Sequence, residues 1–171
     1  MTTEQFRREL DTAEGFISLG MLEEAVNVLE DLPSQLKVTT EVISLHIAIL
    51  VRAGSYLKAS YLAETLSFSE PGSLEKALDV ASYRNTASAP KEALEWLESI
   101  RKRWEGEAGF HYCLAQCHSA LGNAEQMKAE LKTACDLDEE LKMKAAYDPA
   151  FEEIFGAESR LKTLGPRPLE L

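Results

Sequence analysis

The chain has 171 residues, enough for one domain with a sizeable core, and its hydrophobic fraction of 45% argues against wholesale disorder. A formal net charge of −11 opposes nucleic-acid binding, which needs Lys and Arg to displace counterions from phosphates. Three cysteines make no disulfide framework, and the longest apolar stretch, Val42 to Val51, is too short to span a bilayer.

In chain order, Phe6, Leu10, Ala13, Phe16 and Ile17 recur at helical spacing and predict a first helix. Gly20 permits a turn, and Leu22, Ala25, Val26, Leu29 and Leu32 predict a second helix that Pro33 ends. Glu23 and Glu24 fall in its first turn, where the helix dipole favours negative charge. The next pair breaks at Gly54-Ser55 and closes at Glu70-Pro71-Gly72. A third pair breaks between Thr86 and Pro90, with Pro90 suited to the first turn of the helix that follows. Arg101-Lys102-Arg103 sits near the end of that helix, where cations suit the dipole. A fourth pair breaks at Gly122-Asn123. Beyond residue 141, Leu141 to Tyr147 and then Pro149 to Leu164 predict a last helix or two as a polar cap, followed by an extended tail at 165–171. No stretch alternates as a β-strand does, so the fold is expected to be all-α.

The breaks are periodic. Gly20, Gly54, Ser88 and Gly122 follow one another at intervals of 34 residues. Ala13, Ile47, Ala81 and Ala115 keep the same register, as do Ala25, Ala59, Ala93 and Met127. A fixed period of this length marks a solenoid, whose units bury their apolar faces only by stacking. The units run over about 6–39, 40–73, 74–107 and 108–141, with a cap at 142–164, in a single domain over 1–164.

These residues resemble the tetratricopeptide repeat, whose pattern places W-x2-L-G-x2-Y before A-x3-F and then P. Unit four carries Leu114-Ala115, Leu121-Gly122, Leu131 and Ala134; unit one carries Ala13, Phe16, Leu19-Gly20, Ala25 and Leu29. Unit two supplies Tyr56, Ala59 and Pro71, and unit three Ala81, Ala93 and Leu97. No unit has the leading Trp, and Met127 replaces a small residue. The segment from Leu141 to Phe155, with Tyr147-Asp148-Pro149, is similar to the end of small bacterial proteins of this type. The resemblance implies four antiparallel helix hairpins in a right-handed superhelix, with the first helix of each unit lining a concave groove.

At about 100° per residue, the groove arc of those helices holds Glu14, Glu41, Leu45, Val51, Glu75, Leu78, Asp79, Tyr112 and Gln116 among others. Five acids stand on it against two arginines. Chaperone-binding members of the family grip a terminal carboxylate with Lys and Asn on these faces. Here Leu10, Glu14, Leu45, Glu75 and Asp79 stand there, so a carboxylate would be repelled. The expectation is an acidic-walled groove with an apolar floor, suited to a segment carrying Lys or Arg beside aliphatic anchors. The competing reading is a solvated surface on an acidic protein.

Cys113, Cys117 and His118 lie close on one helix, with Cys135 on the next, but they point in different directions and make a poor tetrahedron. Core thiols, and no metal, are expected. His46 and His111 sit beside packing positions, and no Gly-rich phosphate loop, HExxH or GxSxG occurs. The start, Met1-Thr2-Thr3-Glu4-Gln5, lacks a signal-peptide pattern, so a cytoplasmic protein is expected, with no cofactor and no membrane insertion. The sequence therefore predicts a non-enzymatic module that binds a protein or peptide. The alternative is a structural subunit assembling with itself or a fixed partner, because the first helix of unit two is apolar almost all round.

Overall fold

The structure, a computed structural model, describes residues 1–152. The expected tail at 165–171 and most of the cap expected over 142–164 lie outside the described residues. Within them every regular element is a helix, and the contacts divide the chain into two compact units, one ending at Ala87 and one starting at Ser88.

The first unit holds α1 (Thr3–Ser18), α2 (Leu22–Glu30), α3 (Thr40–Arg52), α4 (Tyr56–Ser69) and α5 (Leu74–Thr86). Its start is fixed by a capping box: Thr2 Oγ1 accepts the Gln5 N–H at 3.2 Å, and the Thr2 N–H donates to Gln5 Oε1 at 2.8 Å. The α1–α2 and α3–α4 pairs pack as hairpins, and α5 packs on α4. Ala13, Ala25 and Leu29 have no accessible surface, and they share one core with Ile17, Leu32, Val42 and Ile49. The all-round apolar character of α3 has a partly local explanation. The helix packs against α1, α2 and α4, which accounts for the buried Val42, Ile47 and Ile49, while Leu45, Ala48 and Val51 keep part of their surface.

The second unit holds α6 (Pro90–Trp104), α7 (Ala108–Ala120), α8 (Ala124–Leu137) and α9 (Glu140–Tyr147), followed by a single 3-10 turn at Pro149–Phe151. Pro90 opens α6, where a missing N–H costs nothing, and Arg101, Lys102 and Arg103 close it as the dipole prefers. The α7–α8 hairpin encloses a core of Ala115, Met127, Leu131, Ala134 and Cys135, joined by Ala145 and Phe151 from the segment that follows.

The 34-residue period has a backbone cause. Gly20, Gly54 and Gly122 lie at φ of 77°, 71° and 71°, and Ser88 at 60°. Each glycine ends its helix in a Schellman motif. The Gly20 N–H reaches Ile17 O and the Met21 N–H reaches Phe16 O at 3.0 and 2.9 Å, a pattern repeated at Gly54-Ser55 and Gly122-Asn123. An added Cβ would meet no heavy atom within 4 Å at any of the three. The left-handed φ, rather than lack of space, selects glycine there. The small positions that share the register are buried as packing requires: Ala81, Ala93 and Ala115 have no accessible surface, and Met127 keeps 2%.

Candidate functional site

In the first unit, the inner faces of α1, α3 and α5 enclose an open groove of about 450 Å³. Leu45, Ala48 and Val51 from α3, with Ile17 from α1 and Leu66 from α4, give it an apolar lining. Glu14 on α1 and Asp79 on α5 contribute carboxylates; Arg52 and Lys76 contribute cations. The formal charges in the groove thus balance, where the arc read from sequence was acidic. Two shifts in membership explain the difference. Glu41 and Glu75 are exposed outside the lining, and Lys76 and Tyr83 on α5, which were not on the arc, join the lining. Leu78 is half-buried on α5 and also lies outside the lining.

Burial lifts the Asp79 carboxyl above the ordinary carboxylate range, with Lys76 opposing the shift and Glu75 adding to it. Tyr83 is raised for the same first reason, and the charges of Asp79 and Glu75 add to the effect. A carboxylate that is half desolvated without a hydrogen-bonded cation gains more than a surface one when a cation arrives. Arg84, one residue beyond Tyr83, instead pairs with Glu64 and ties α5 to α4 beside the groove.

Tyr112 and Gln116, expected on the groove arc, are engaged in the second unit. The Tyr112 hydroxyl donates to Asp148 Oδ2 at 2.7 Å, and Gln116 Nε2 donates to the same oxygen at 2.8 Å. Asp148 Oδ1 accepts the Ala150 N–H at 2.9 Å, and the Ser119 hydroxyl donates to the Ala150 carbonyl. Phe151 is fully buried and meets the Tyr112 ring edge-on, with centroids 5.4 Å apart. Lys144 Nζ lies 4.7 Å from the same ring's centroid. Burial, and then the Asp148 contact, push the Tyr112 hydroxyl well above its usual range. The chain's own segment therefore covers the α7 face that the sequence reading left open.

Two further polar clusters lie in this unit. Glu130 on α8 receives Arg101 at 2.9 Å from α6 and His111 Nδ1 at 2.6 Å from α7, while His111 Nε2 meets the Glu105 carbonyl at 2.8 Å. Arg101 also forks onto Glu98 with two contacts of 2.8 Å, and the pairing lowers the Glu98 carboxyl. This network joins three helices, consistent with a packing role for His111. Cys113, Cys117 and Cys135 are buried free thiols. Cys113 is raised by its contact with Cys117 and then by burial, and Cys135 by burial. Among the described residues no group of three His, Cys, Asp or Glu side chains is arranged to hold a metal. No helix there is long and apolar enough to cross a membrane.

Paired helices repeating with shared turn geometry define an all-α, tetratricopeptide-like helical-repeat fold. Two solved structures are similar to this chain. One, "MamA MSR-1 C2", has a TM-score of 0.62 at 17% identity, over 77% of this chain and 76% of that one. The other, MamA residues 41 to end from Desulfovibrio magneticus RS-1, has a TM-score of 0.62 at 19% identity, over 78% of this chain and 76% of that one. At such identities the likeness concerns the fold. No family model and no curated protein matches the sequence.

Proposed function

We propose that the chain is a non-enzymatic protein-interaction module that holds a partner segment in the groove of α1, α3 and α5. The observation that carries this reading is an apolar lining left open to solvent between Glu14 and Asp79. Burying such a lining is favourable at roughly 25 cal/mol per Å², and an aliphatic anchor on a partner would achieve it. Asp79, short of solvation, supplies the polar term by meeting a Lys or Arg beside that anchor. Arg52 and Lys76 would hold the flanking carbonyls or an acidic neighbour. The net charge of −11 steers basic segments toward the chain in the same sense. The alternative, an assembly subunit, draws its support from the all-round apolar α3, of which α1, α2 and α4 bury Val42, Ile47 and Ile49 within one chain.

Selection of displayed random peptides on the full chain tests this reading. The expected consensus places Lys or Arg beside Leu, Ile or Phe, and backbone NMR shifts on adding such a peptide fall on α1, α3 and α5. A consensus without a basic residue, or shifts confined to other helices, contradicts it.

A further inference from the structure

The segment from Asp148 to Phe151 touches its neighbours as a bound peptide touches a receptor. It reaches the inner face of α7 from beyond the last hairpin. There it places a carboxylate, a proline-fixed turn and one aromatic ring in three separate environments. Two neutral donors, the Tyr112 hydroxyl and the Gln116 amide, converge on a single carboxylate oxygen at 2.7 and 2.8 Å. The other carboxylate oxygen caps the turn that begins at Pro149. That turn presents the Ala150 carbonyl to Ser119 and drops Phe151 into the core beside Tyr112, Met127 and Leu131. Neutral donors recognise a carboxylate by position rather than by net charge, and a buried ring supplies the anchor.

We propose that the α7 face bearing Tyr112, Gln116 and Ser119 is a second peptide site, which the chain's own segment fills in cis. Its external ligand is a protein segment of the same chemistry: an acidic residue, then proline, then an aromatic residue two positions on. This site lies in the second unit and does not depend on the groove of the first. Its preference is also the opposite one, for an acidic rather than a basic segment. A tethered occupant acts at an effective concentration near millimolar, so an external segment binds in proportion to the fraction of chains whose strap is lifted. Weakening the strap should therefore strengthen capture of a peptide that still carries the aspartate.

The test uses full-length chain and a fluorescent synthetic peptide with the sequence of residues 144–152, followed by anisotropy. Wild-type chain should bind the peptide weakly. The Asp148→Ala chain, with its strap loosened and helix content retained by circular dichroism, should bind it at least about tenfold more tightly. The same peptide with alanine in place of its aspartate should lose that gain, as should the wild-type peptide on a chain carrying Asp148→Ala with Gln116→Ala. Equal affinity for wild-type and Asp148→Ala chains, absence of binding included, overturns the proposal. So does binding indifferent to the peptide's aspartate. Loss of helix in Asp148→Ala overturns it as well, since the segment is then an inseparable part of the core. Dimerisation of Asp148→Ala without peptide capture has the same consequence.

Discussion

Ser88 stands 34 residues after Gly54 and shares its left-handed backbone, at φ 60° beside 71°. A residue with a Cβ carries a penalty of about 1–2 kcal/mol in that region, and glycine returns part of the gain through its freer unfolded state. Ser88→Gly should therefore stabilise the chain by about 0.5–1 kcal/mol, and Gly54→Ala should destabilise it by about 1 kcal/mol. Urea melts of the two variants check this. A Ser88→Gly variant less stable than wild type would show that the serine side chain supplies a contact outweighing its backbone strain.

The buried alanines make the second prediction. Ala81 and Ala115 have no accessible surface, and Ala115 lies in the core of Tyr112, Met127 and Leu131. Leucine at either place forces the adjoining helices apart, at about 1–3 kcal/mol. An unchanged melting temperature in Ala81→Leu or Ala115→Leu would mean that the packing register is misassigned.

Acid should destabilise the fold before any carboxylate of ordinary pKa titrates. Burial is the first cause holding His46 and His118 below the ordinary histidine value of 6.5. A histidine depressed in the fold takes up its proton more readily when unfolded. Its stabilising contribution is thus complete above the unfolded value and shrinks as pH falls from there through the folded one. Glu98, lowered by its hydrogen bond from Arg101, adds a loss below its ordinary value of 4.5. The urea midpoint should fall between pH 7.5 and pH 5.5, and His46→Asn with His118→Asn should flatten that slope. A wild-type midpoint constant over this window contradicts the assignment.

The three thiols should be inert while the chain is folded. Cys113, Cys117 and Cys135 are buried, and Cys113 and Cys135 are raised, so little thiolate is available to attack a disulfide reagent. Protein prepared under reducing conditions should label with Ellman's reagent at the rate of unfolding and carry no stoichiometric zinc. Fast labelling of one thiol in native buffer, or one zinc per chain by elemental analysis, would contradict this.

The hairpins were legible in the sequence because one backbone requirement recurs. A left-handed residue must follow each first helix, and Gly20, Gly54 and Gly122 announce it. The inner faces of α1 and α3 followed from helix geometry, which placed Glu14, Leu45 and Val51 together. The groove's charge did not follow, because Lys76 and Tyr83 join it through the packing of α5 on α4, which a single-helix projection cannot contain. The covering of Tyr112 was missed for a related reason. The strap lies after the last repeat, outside the period, and the one local signal is Asp148 before Pro149, a capping residue at a proline turn, with an apolar Phe151 behind it.

The role of the groove in the first unit rests on Asp79 and Glu14 meeting a cation beside an apolar anchor. Calorimetric titration of the selected basic-aliphatic peptide into wild-type chain and into Glu14→Lys/Asp79→Lys tests it most directly. Affinity should fall at least about tenfold in the variant, and the wild-type affinity should weaken as salt rises. An affinity unchanged by both the charge reversal and the salt would contradict a peptide-binding role for this groove.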